Sequence, residues 1–124
     1  MGRVTASLRI ELFPADLDSS VGFYVSVLAF AIARDDRTSG GRYVWLRRDD
    51  VGLGLAERAA VGVEPSSHRV DVEIVLEVDD VQAERDRVLA AGGDLADDLV
   101  TRPWGLTDFR LNDPDGNYWR VTGR

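Results

Sequence analysis

Leu12, Asp16 and Leu17 recur 64 residues later as Leu76, Asp80 and Val81, so LFPADL and LEVDDV mark the same event twice along the chain. In both copies a strand-like run ends, an Asp follows, and a helix-like run begins. Asp suits such a junction because its side chain accepts hydrogen bonds from the exposed N–H groups of a helix's first turn. A repeated strand-to-helix junction at constant spacing predicts a duplicated unit, each copy holding its own sheet and helix. With 124 residues, 44% of them hydrophobic, both copies have to share one compact domain.

Periodicity fills in the copies. The first, over about residues 5–58, reads as a strand near Ser7 to Phe13, a helix near Asp18 to Leu28, and strands near Phe30 to Arg34, Arg42 to Arg47 and Val51 to Glu57. Residues 59–69, AAVGVEPSSHR, have the Gly, Pro and Ser of a linker. The second copy, about 70–124, reads as a strand near Asp71 to Val78, a helix near Val81 to Ala91 with Val81, Val88 and Leu89 as its apolar stripe and Gly92 as its cap, and a strand near Asp94 to Thr101. A hairpin closes it. Thr107 to Leu111 alternates apolar residues and Thr with Asp108 and Arg110, Pro114 and Asp115-Gly116 reverse the chain, and Tyr118 to Val121 return.

Composition removes several kinds of chemistry. Zero Cys excludes disulfides, thiolate nucleophiles and Cys-ligated metals. All fifteen basic residues are Arg, so no lysine Schiff base can form. A net charge of −7 opposes nucleic acid and anionic membranes as partners. No apolar run approaches the ~20 residues of a membrane helix and no signal-peptide core is visible, so the expected location is the cytoplasm. Ser19, Ser20, Ser66 and Ser67 stand where caps and turns use Ser, and no nucleophile with a base and an orienting group accompanies them.

The stretch Arg102 to Val121, RPWGLTDFRLNDPDGNYWRV, resembles the C-terminal signature of the glyoxalase/bleomycin-resistance/extradiol-dioxygenase superfamily, the vicinal oxygen chelate fold. PWG together with RDDVGL at Arg48 to Leu53 is most similar to the bleomycin-resistance branch. The resemblance implies an α+β fold in which two βαβββ modules form an eight-stranded incomplete barrel, with helices on the outer face and a ligand cup within. Metal-binding members place ligands at four positions. Those positions correspond here to Arg9, Glu73 and Arg120, with the fourth near Gly54, so only Glu73 could bind a cation and neither a metal nor another cofactor is expected. Arg9, Glu73 and Arg120 are expected to form an ionic cluster instead. His68, the lone histidine, lies in the linker.

Alternation predicts that Leu8, Ile10, Val72 and Ile74 face helices, while Arg9, Glu11, Glu73, Glu77, Arg110, Tyr118 and Arg120 occupy the opposite faces. Tyr43, Trp45 and Arg47 share one strand face and Trp104 precedes the last hairpin; aromatic walls with a few charges suit a flat, partly polar ligand. The ligand-binding set is therefore Arg9, Glu11, Tyr43, Trp45, Glu73, Glu77, Trp104, Arg110, Tyr118 and Arg120, with no catalytic residue. The resemblance implies a homodimer that sequesters an antibiotic or natural product, whose positive charge the carboxylates would meet. The alternatives are a metal-dependent lyase, isomerase or dioxygenase of the glyoxalase type, and a ligand-sensing or accessory domain.

Overall fold

Both junction aspartates do what their position in the sequence predicts. The structure, a computed structural model describing residues 6–62 and 72–124, has Asp16 Oδ1 accepting from Ser19 N at 3.1 Å and Asp80 Oδ1 accepting from Ala83 N at 3.0 Å. Each bond satisfies an N–H that helical geometry leaves over, and starts α1 (Leu17–Ser26) and α3 (Val81–Ala90) respectively. Glu57 adds a second cap from far along the chain: its Oε2 accepts from Leu17 N at 3.1 Å while both of its oxygens accept from Arg42.

The eight strands are β1 (Ile10–Leu12), β2 (Ala31–Asp35), β3 (Tyr43–Arg48), β4 (Val51–Ala56), β5 (Ile74–Val78), β6 (Asp97–Thr101), β7 (Thr107–Asn112) and β8 (Tyr118–Gly123). They form two mixed four-stranded sheets, neither closed into a barrel, in the orders β1-β4-β3-β2 and β5-β8-β7-β6. The first strand of each module pairs in parallel with the last, and the other neighbours are antiparallel. The sheet order is therefore duplicated, as the 64-residue offset requires.

Contacts divide the chain into two compact units. The first contains β1 to β4, most of α1, and a short helix α2 (Arg58–Val61) in the first residues of the expected linker. Val44, Leu46, Leu53 and Leu55 bury one face of its sheet. The second contains β5 to β8, α3 and Ser26–Leu28. Here Leu76, Val78, Phe109, Leu111, Trp119 and Val121 form the buried face, and α3 lies against β6, β7 and β8 with Val88 fully buried.

Several expectations at the element ends need correction. Leu8 is 93% exposed and Val72 70%, so neither faces a helix. The ladders begin only at Ile10↔Leu53 and Ile74↔Trp119, so among the described residues Leu8 and Val72 have no strand partner to fix their faces. Leu89 is also exposed: it lies one residue, about 100°, beyond Val88 around α3, which carries it off the buried stripe. A 3-10 turn at Asp36–Ser39 was not foreseen. It is held by Asp35, whose carboxylate accepts from Arg37 N, Nε and Nη2 at 2.8–3.0 Å. His68, Ser66, Ser67 and Asp71 lie outside the described residues.

Candidate functional site

Strand register sorts the expected site residues into one polar face per unit. In the first, Glu11 pairs with Gly54 and Gly54 with Trp45, so these three share a face on which Tyr43 and Arg47 also stand. The glycines decide how the aromatics lie. A Cβ on Gly52 would sit 2.5 Å from the Trp45 ring, and one on Gly54 would collide with Glu11 Oε2 and the Tyr43 hydroxyl. Both aromatic side chains thus recline across β4, each over the glycine diagonal to it, which only an absent side chain permits. The Tyr43 hydroxyl donates to Glu11 Oε2 at 3.1 Å, and burial together with that bond raises the phenol's pKa. The Arg9 guanidinium stands 5.6 Å from the Trp45 ring centroid and 3.6 Å from Glu11 Oε2. Its partners within this unit are therefore Glu11 and Trp45.

The second unit places Arg110 directly opposite Arg120 across the β7–β8 ladder, with Val75 beyond Arg120 and Asp97 beyond Arg110. Arg120 Nε donates to Glu73 Oε1 at 3.0 Å, the pairing expected for those two residues. Arg110 Nη1 donates to the Tyr118 hydroxyl at 3.1 Å, its guanidinium 5.9 Å from that ring. Glu77 is exposed. Trp104, at 62% exposed, sits in a turn closed by Gly105 N donating to Arg102 O at 2.9 Å.

Sequence reasoning missed the residues that organise this second face. Asp108 is fully buried and accepts three hydrogen bonds from Arg102, from Nε at 3.0 and 3.2 Å and from Nη2 at 2.8 Å. Arg110 Nε and Arg120 Nη1 lie farther off, at 3.8 and 3.9 Å. Arg102 lowers the Asp108 pKa, outweighing burial, which alone would raise it. Arg102 also reaches Asp97 at 3.2 Å. The clue available was the PWG turn itself, because a tight reversal after β6 brings Arg102 back beside Asp108 of β7, opposite charges six positions apart.

The sequence profile of the "Glyoxalase/Bleomycin resistance protein/Dioxygenase superfamily" matches residues 7–121. No curated protein sequence matches the chain. Among solved structures it is similar to TioX from Micromonospora sp. ML1, at 24% identity and a TM-score of 0.75 over 96% of each chain. UcmS2 is similar at 22% identity and a TM-score of 0.79, over 96% of this chain and 98% of that one. A glyoxalase-related enzyme from Fulvimarina pelagi is similar at 21% identity and a TM-score of 0.75, over 95% of this chain and 88% of that one. At these identities the likeness is one of fold.

Proposed function

We propose that this chain, which belongs to the glyoxalase/bleomycin resistance protein/dioxygenase superfamily, binds a small, partly planar organic molecule and sequesters it without a catalytic metal, as a homodimer in the cytoplasm. The observation that carries this reading is the Trp45 indole set against Gly52, with Tyr43 on the same strand face and the Arg9 guanidinium over the ring. A half-buried aromatic plane flanked by charge favours stacking against a flat ligand.

The donor set does not suit a metal. Of the four positions that correspond to the ligands of metal-binding relatives, Arg9 and Arg120 carry guanidinium groups with no lone pair to give, and Gly54 carries no side chain. Glu73 alone has ligand oxygens, and Arg120 already occupies one of them. Among the described residues no group of three His, Cys, Asp or Glu gathers as a metal site would require.

Tryptophan-fluorescence titration against a panel of aromatic antibiotics tests the reading. Saturable quenching is expected with at least one compound, weakened about fivefold or more by Trp45→Ala, since a good stacking contact contributes roughly 1 kcal/mol. Absence of quenching across the panel, or quenching that neither Trp45→Ala nor Trp104→Ala alters, removes its support. One equivalent of zinc, nickel or iron per purified chain, lost on Glu73→Ala, would overturn the metal-free half.

A further inference from the structure

We propose that the polar face of the second unit is an oxyanion-recognition site, in which Arg110 and Arg120 receive a carboxylate or similar anionic group of the ligand and Glu73 is the resident group it displaces. The proposal rests on the small-molecule reading above and assigns the ligand a negative charge, opposite to the charge that the acidic composition suggests.

Depth and distance decide the sign. The Arg102, Arg110 and Arg120 side chains are only 18%, 25% and 22% exposed, while the carboxylates near them divide into one fully buried and two at the rim, Glu73 at 31% and Asp97 at 47%. The buried one, Asp108, is committed to Arg102 and stays beyond hydrogen-bond reach of the other two guanidinium groups. The inner layer thus holds three positive charges against one negative. Arg110 Nε is buried and has no hydrogen-bond acceptor among the described residues, with Asp108 Oδ1 at 3.8 Å and Glu73 Oε2 at 4.0 Å. An unmet donor on a charged group is costly, and like charges directly opposite across a ladder repel. One oxyanion between Arg110 and Arg120 answers both.

Glu73 supplies part of that need. Among the described residues its side chain accepts a hydrogen bond from Arg120 alone, and it stands just ahead of the first ladder pair of β5. A partly exposed ion pair of this kind is weak and can be exchanged. Tyr118 completes the site, because its hydroxyl accepts from Arg110 Nη1 and keeps its own hydrogen to donate. Arg102 and Asp108 are positioning residues: their multiple bonds anchor the end of the face from which Arg110 projects.

The test follows the arginine Nε–Hε resonances of 15N-labelled protein by NMR at constant ionic strength, during titration with naphthoate and, separately, naphthylmethylammonium. Saturable shifts of Arg110 and Arg120 are expected with the carboxylate alone, while Arg85 of α3, paired to Asp98 of β6, stays still. Glu73→Gln should tighten naphthoate about two- to fivefold by removing the competing carboxylate. Arg110→Gln should abolish the response. Shifts no larger than those of Arg85, or a Glu73→Gln variant that binds naphthoate no better, would overturn the proposal. If the ammonium alone binds and quenches Trp45, the anion site falls while small-molecule binding stands. If neither probe binds, the anion site falls and the antibiotic panel decides the broader reading.

Discussion

At the level of single residues, this chain places Ala where the backbone favours Gly. Ala29 has φ of 58°, just past the end of α1, and Phe30 N donates to Tyr24 O at 2.9 Å across it. A Cβ in the left-handed region costs about 1–2 kcal/mol, whereas Gly adopts that region freely but gives up more entropy on folding. The steric term wins by a small margin. We expect Ala29→Gly to stabilise the protein by about 0.5–1 kcal/mol, raising the thermal midpoint by roughly 2–5 °C in a calorimetric scan. A lowered midpoint would show that the turn is not strained. Asp113 is the other residue whose role exceeds its sequence signal: its Oδ1 accepts from Asp115 N and Asn117 N and its Oδ2 from Asn117 Nδ2, so the last hairpin turns around a buried carboxylate as well as on Gly116, at φ of 85°.

At the level of elements, the β3–β4 pair shows how two strands make a flat surface from bulky residues. Valine, glycine, leucine, glycine and leucine run along β4 from Val51, leucines to the buried face and glycines to the polar one. The glycines forgo side-chain packing, which weakens a strand, but they let Trp45 and Tyr43 fill the vacated space. Gly52→Ala should force the Trp45 ring off the sheet, because the new methyl would stand 2.5 Å from it. The expected cost is about 1–3 kcal/mol in chemical denaturation, accompanied by movement of the Trp45 indole N–H resonance. An unmoved resonance would mean that the ring does not rest on the glycine.

For the whole molecule, the carboxylates are the point of weakness. Arginine partners lower the pKa values of Asp35, Glu57 and Asp108, and Asp98 falls to about 2 through Arg85. Groups that titrate lower when folded than when unfolded bind fewer protons in the folded state, so their stabilisation is complete above the unfolded values near pH 4 and is lost as pH drops below them. Relief of the −7 net charge opposes this at first, but below the isoelectric point near 4.6 the fifteen arginines repel one another and both effects act together. Denaturation midpoints should therefore be similar at pH 6 and 5 and clearly lower at pH 3; a higher midpoint at pH 3 would contradict the ion-pair account. Much of this molecule was legible in its residues alone. The 64-residue offset, the junction aspartates and the period of two determined the element order, the duplicated sheet and which face of β5, β7 and β8 carries charge, because helix capping and strand alternation are local rules. The tertiary structure alone decided that Leu8 and Val72 stay exposed, that Asp108 is buried with Arg102, and that Arg110 meets Arg120. Those outcomes depend on where a ladder begins and which strand lies alongside, and residues distant in sequence set both.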